Sequence, residues 1–516
     1  MPRRIRFHVD DKQDRSRSQS GIESCRRGHY TVVMIDPPPI PDELWAKVPP
    51  EAQAAVAAVF LAMRQRVDEL ATRVGDLEAR LKLDSTNSSK PPSSDPVGLR
   101  RRPPAPPSGK KRGGQPGHRK ARRTLVPPEQ VRETFDCKPT ACRRCGHGLA
   151  GDDPEPLAHQ VAELPRIEPI VDEYRLHRLT CPACRATTCG TLPAGVPTGC
   201  FGPYLRAVLA MFAGAYRLSK RQIRQVTADV FLLSISTGMI SKLERRSAAV
   251  LEAPYHELAI AVHHAKMTNI DETSWRESLR RVWLWATVAP LFTAFTVAKG
   301  RGGDVAKALL GSEDGQVVGS DRFGAYDWIM AKWRQVCWSH LRRDFQAMID
   351  RGGDGEAAGE RLLTLSNRLF HHWHRVRDGT PEWGPSQAPM DRPRREVKQA
   401  LLDGSRCPCA KTAATCFEVL KVEEGLWAFA RVKGVEPTNN AVERALRHAV
   451  IWRRISGGTD SPDGSRFVER MLTVVATCRQ QGRNVLDYPS TCFEADRQGQ
   501  ALPSLLPVVT AEIETA

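Results

Sequence analysis

AKMTNIDETSWRESLRRVWLWATVAPLFTAFTVAKG (265–300) and GQVVGSDRFGAYDWIMAKWRQVCWSH (315–340) are the stretches on which the fold turns. Short apolar or alternating runs bounded by turn residues predict strands. AKMTNI predicts one that ends at Asp271; RVWLWATVA and LFTAFTVA predict two more, joined by a tight turn near Pro290. DVAKALLG, after Gly302 and Gly303, has helical spacing, and GQVVGS predicts a short strand ending at Asp321. AYDWIMAKW then predicts a helix and QVCWSH a fifth strand. Spacing alone does not prefer Asp271 and Asp321 to Glu272, Asp304 or Asp327, because an acid after a strand is often only a turn residue.

Three strands, a helix, a strand, a helix and a strand is the ribonuclease-H-like order. If the strands of Asp271 and Asp321 are neighbours, their carboxylates sit side by side, and a helix in PTNNAVERALR (437–447) can bring in Glu443. Clustered carboxylates repel one another and suit Mg²⁺ or Mn²⁺, which favour oxygen ligands. Two such ions roughly 4 Å apart activate a water or hydroxyl and stabilise the leaving oxygen of a phosphodiester. Each acid also has a plainer reading: a cap for Asp271, a surface pair of Asp321 with Arg322, a helical pair of Glu443 with Arg447. Asn439 and Asn440 cap the helix or hold ligands and water. Arg444, Arg447, Arg453 and Arg454 suit either DNA phosphates or a solvated face. His340, three residues after Cys337, either pairs with it for a metal or packs at a strand end.

The 516 residues exceed a single core and predict a multidomain chain of α+β and α/β parts. Lys plus Arg number 76 against 59 Asp plus Glu, a formal charge of +17 that favours a polyanion such as nucleic acid. No run of about 18 apolar residues is present, and the N-terminus MPRRIRFHVDDK is charged, so a soluble intracellular protein with no membrane partner is expected.

Residues 1–50 read as a disordered tail. In 51–84, Val56, Phe60, Met63, Val67, Leu70, Val74, Leu77 and Leu81 make a heptad seam: a coiled coil joining copies of the chain, or an amphipathic helix packed on its own protein. Residues 85–125 form a Pro/Gly/Ser-rich linker with Arg100, Arg101, Arg102, Lys110, Lys111, Arg112, Arg119, Lys120, Arg122 and Arg123. Such a run neutralises phosphates without reading sequence, or merely solubilises. In 126–200, Cys142-x-x-Cys145 and Cys181-x-x-Cys184 can close a tetrahedral four-sulfur zinc site, structural because no ligand position stays open. Cys137, His147 and Cys189 are substitute ligands. Residues 201–262 read as helical, with RLSKRQIRQVTADV followed by STGMISKLERR and Ser236 as an N-cap; this is a helix-turn-helix for DNA or ordinary packing.

NSSKPPSSD (87–95), the paired Cys-x-x-Cys, DET (271–273), DRFGAY (321–326), CWSHLRRDF (337–345) and EPTNNAVERALRHAVIWRRISGGTDSPDGSRFVER (436–470) resemble, in order, the transposases of the insertion sequence 66 family. The resemblance runs from about Leu81 to Tyr488. It implies a DDE transposase with a ribonuclease-H-like core, a leucine-zipper-like N-terminal helix and a zinc finger, working in the bacterial cytoplasm on element ends and target DNA. Its acidic triad falls on Asp271, Asp321 and Glu443. Core residues 263–350 and 434–488 then flank a helical insertion, 351–433, and small accessory proteins are expected as partners. After Tyr488 the pattern departs from the family and predicts a tail of little order, 489–516. A different class stays open: a non-catalytic, zinc-containing DNA-binding or regulatory protein, such as a decayed transposase.

Overall fold

The computed structural model describes residues 44, 47–81, 83–88, 123–311, 315–378 and 388–507. The expectations for 1–43 and for the basic run from Arg100 to Arg122 lie outside the described residues. The chain divides into two compact units, Met1–Lys82 and Leu83–Ala516.

In the first unit, helix α1 spans Pro50–Leu81. Proline is harmless at its first position, where the missing N–H has no acceptor, and Glu51 suits the positive helix end. Along the seam Phe60, Met63, Val67, Leu70, Val74 and Leu77 are 45–61% exposed.

In the second unit the described residues 123–200 carry a small antiparallel hairpin, β1 (Arg178–Thr180) with β2 (Thr187–Cys189). Four helices follow: α2 (Pro203–Gly214), α3 (Lys220–Phe231), α4 (Thr237–Val250) and α5 (Glu252–His263). A capping box of Ser219 and Gln222 starts α3, Leu232 in the left-handed region (φ 56°) stops it, and Ser236 caps α4 by accepting from the Met239 N–H.

A mixed five-stranded sheet comes next: β3 (Met267–Glu277), β4 (Arg280–Val288), β5 (Thr293–Ala298), helix α6 (Gly303–Leu310), β6 (Val317–Ser320) and β7 (Arg334–Val336). The order is β5-β4-β3-β6-β7, with β3–β4 and β4–β5 antiparallel and β3–β6 and β6–β7 parallel. Three sequence expectations are corrected. First, β3 does not end at Asp271: residues through Glu277 pair with β4. Second, AYDWIMAKW is no α-helix but two short 3₁₀ turns, Gly324–Tyr326 and Ala331–Trp333; the Ala325 carbonyl goes to the Trp328 indole N–H, and Tyr326 turns inward. Third, the last strand stops at Val336, because Cys337 is the N-cap of α7 (Trp338–Arg351) and takes Trp338–His340 into the helix.

Residues after α7 fold as α8 (Asp354–Arg377), α9 (Ala388–Gly404), α10 (Ala410–Lys421) and the one-turn α11 (Ala428–Arg431). With α7 they enclose a core that includes Trp338, Phe345, Leu362, Leu369, Leu401, Val419 and Trp427. The chain then returns to the sheet with α12 (Asn440–Ser456), α13 (Pro462–Gln480) and α14 (Asp487–Gln498). The tail expected after Tyr488 is therefore a helix, packed on α2 through Cys492 and Phe493. Pro489 is tolerated because it lies in the first turn, whose N–H groups have no helical acceptor.

Both sheet faces are covered, which is why β4 is apolar from Val282 to Val288 apart from Thr287. Val282, Leu284, Ala286 and Val288 face α12 and α13; Trp285 packs with Ile270, Ala306, Leu310 and Tyr326 on the other side. Between α12 and α13, Thr459 donates its N–H to the Arg276 carbonyl and accepts from Ser278 through its own. Gly458 makes this possible: its φ is 120°, and a Cβ there would lie 2.3 Å from the Arg276 oxygen.

Helix α13 also closes the outer edge of β5. Glu469, Thr473 and Thr477 accept the N–H groups of Val297, Phe295 and Thr293 at 2.9–3.1 Å. Four helical residues rise about 6.0 Å and two strand residues about 6.8 Å, so the two ladders stay nearly in step.

Candidate active site

Asp271 lies in β3, and Asp321 directly follows its parallel neighbour β6. Asn269 stands opposite Gly319, two residues before each acid, and the Asp321 charge acts on Asp271. A Cβ at position 319 would fall 2.1 Å from the Asn269 amide oxygen, so the Asn269 side chain would have to move.

Segment 437–440 brings in Glu443. The Pro437 carbonyl accepts the Trp338 N–H at 3.0 Å; the Asn439 N–H points at the Cys337 sulfur at 3.2 Å, and its side-chain amide donates to the Ile270 carbonyl at 3.0 Å. Asn439 thus ties α12 to β3 beside Asp271. Its side chain makes no cap bond, a correction to the capping reading. Glu443 lies in the first turn of α12, which packs across β3.

Burial pushes the Asp271 carboxyl well up from its ordinary value, and the charges of Asp321, Glu272 and Glu443 add to the rise. Burial also raises Asp321, opposed by the Phe323 N–H at 2.9 Å and by Arg334, Arg301 and Arg322. The competing acids are occupied or remote. Glu272 accepts from Arg301 at 2.5 Å and from the Tyr326 hydroxyl at 2.6 Å; Asp327 pairs with Arg334, and Asp304 is exposed in the first turn of α6.

Three ligand-type side chains approach within 4.8 Å of one another at one place among the described residues, and they are Cys337, His340 and Glu443. Asp271, Asp321 and Glu443 are not gathered that closely: Glu443 instead lies 3.4 Å from the Arg343 guanidinium and 3.7 Å from His340 Nδ1. Arg343 carried no signal in the sequence reading, although it sits one turn beyond His340. Of the helix α12 arginines, Arg444, Arg447 and Arg454 are exposed, whereas Arg453 donates to the hydroxyls of Thr273 and Ser274.

Cys142–Cys145 and Cys181–Cys184 form the same turn twice. The Cys142 N–H bonds the His147 carbonyl and the Cys181 N–H the Ala186 carbonyl, while Gly146 (φ 74°) and Arg185 (φ 59°) reverse the chain. Backbone N–H groups, first those of Arg144 and Cys184 respectively, hold the Cys142 and Cys181 thiols below their ordinary value, which suits thiolate ligands. No three of the four sulfurs lie within 4.8 Å of one another. Arg123, the one residue of the basic run that is described, is exposed.

Comparison with known proteins finds a model of the transposase IS66 family matching residues 198–466, and a family of unknown function matching 37–124. Two uncharacterized proteins of Sinorhizobium fredii are similar. One, y4qI, is 27% identical over 42% of this chain and 44% of its own length; the other, y4hP, is 25% identical over 66% and 68%. The chain thus spans less than half of the first relative. The family model covers 269 of 516 residues, including both acids of the sheet and the helix of Glu443. By that match this chain belongs to the transposase IS66 family.

Proposed function

We propose that the protein is a DDE transposase with a ribonuclease-H-like core, cutting the ends of its element and joining the freed 3′-hydroxyl to target DNA. The observation that carries this reading is the parallel pairing of β3 with β6, which sets Asn269 opposite Gly319 two residues before each acid, with α12 packed across β3. Like charges around a partly buried carboxyl leave Asp271 undercompensated, a donor set fitted to a hard divalent cation such as Mg²⁺ or Mn²⁺. Bound there, the cations would lower the pKa of a water or hydroxyl and neutralise charge at the phosphate. The three carboxylates would hold them; Asn439 fixes α12 against β3, and the exposed Arg444, Arg447 and Arg454 suit the DNA backbone. Zinc in the two knuckles, the basic run, the helix pair α3–α4 and self-association through α1 complete the reading as DNA-holding parts.

Asp271→Asn, Asp321→Asn and Glu443→Gln test it in end-nicking and strand-transfer assays. Each is expected to lower the rate by about 100-fold or more, and full activity in any one removes that residue. The turn of Glu443 towards Arg343 favours one rival, a non-catalytic DNA-binding protein. That protein would bind element ends equally with and without Mg²⁺ and never cut.

A further inference from the structure

Helix α7 opens with Cys337, His340 and Arg343 directed at the region of Glu443. Cys337 is fully buried, its sulfur accepts the Asn439 N–H, and burial holds its thiol up at about 11. A protonated thiol in that place is a tie between α7 and segment 437–440 and a poor cation ligand. Arg343 is different. One terminal nitrogen lies 3.4 Å from both Glu443 Oε1 and His340 Nε2, with the Arg343 side chain 18% exposed and the Glu443 side chain 35% exposed. The buried His340 Nδ1 has no hydrogen-bond partner, but it lies 3.7 Å from Glu443 Oε1 while Nε2 meets Arg343.

Resting on the reading above, we propose that Arg343 is an exchangeable counter-ion. It holds Glu443 while no cation is present, and it passes to an oxygen of the DNA phosphate once cations occupy the carboxylates. The ion pair is long and partly solvated, hence weak. A divalent ion at about 2.1 Å exceeds a guanidinium at 3.4 Å roughly threefold in charge over distance, so the cation wins Glu443. The released guanidinium then stands beside the place where a phosphate must lie, with a fork of donors suited to two of its oxygens.

Mn²⁺ binding to the full-length protein without DNA, read by the loss of the free-ion EPR signal, separates this role from a structural one. Arg343→Gln is expected to bind Mn²⁺ about two- to fivefold more tightly, because a competitor of that strength is gone. End nicking at saturating Mn²⁺ is expected to fall at least about tenfold. Arg343→Lys should restore wild-type Mn²⁺ affinity and only part of the nicking rate. In a Glu443→Gln background the Arg343→Gln change should leave Mn²⁺ affinity as it is. Unchanged or weaker Mn²⁺ binding in Arg343→Gln overturns the exchange, as does an undiminished nicking rate. If Glu443→Gln loses Mn²⁺ affinity while Arg343→Gln does not alter it, the exchange alone falls; if neither alters it, the carboxylate reading falls as well.

Discussion

Asp271 is held in a place that opposes its own charge. Burial and three neighbouring carboxylates raise its folded pKa above the ordinary 3.8. Its contribution to stability is therefore complete below that ordinary value and is lost as pH rises through the raised folded value. At neutral pH in a chelator, Asp271→Asn is expected to raise the melting temperature by a few degrees, and the gain should vanish on acidification below about pH 4; a scan at both pH values checks this. Gly458 works in the opposite direction. Gly458→Ala places a Cβ against the Arg276 carbonyl at a φ of 120° and should lower stability by about 1–3 kcal/mol, measured by urea denaturation. Gly458 carried no signal in the sequence, and spacing alone did not prefer Asp271 to Glu272. Asp271 and Glu272 are adjacent acids, and only the strand's alternation separates them: one oxygen pair is used up by Arg301 and Tyr326, the other is not.

Among the elements, β3 to β5, α6 and β6 were legible because runs such as RVWLWATVA and GQVVGS have strand spacing between clear turns. What misled was tertiary override. Cys337 looks like the end of a strand but caps a helix; in AYDWIMAKW the Trp328 indole takes the Ala325 carbonyl that a helix would need, and the Tyr326 hydroxyl is drawn inward to Glu272. Helix α14 escaped notice because Pro489 suggests a break, yet in a first turn it is none. The helix-to-strand ladder gives a direct test of element packing. Thr473→Val keeps the shape but strands the Phe295 N–H, and should cost about 1–3 kcal/mol in urea denaturation. For the cysteine turns, metal analysis of the purified protein should find about one zinc per chain, lost in a Cys142→Ser, Cys181→Ser double variant.

At the scale of the whole molecule, two units differ in how they meet water. The second has its own cores; α1 presents a stripe of Phe60, Met63, Val67, Leu70, Val74 and Leu77 to solvent. Val67→Asp with Val74→Asp should shift sedimentation from oligomer to monomer, and an unchanged profile would remove α1 from assembly. The sheet has the reverse character. Since α13 already occupies the outward donors of β5, a stray peptide or a strand from another copy finds nothing there to template upon. Copies at high local concentration are thereby guarded, on that flank, against strand-mediated clumping.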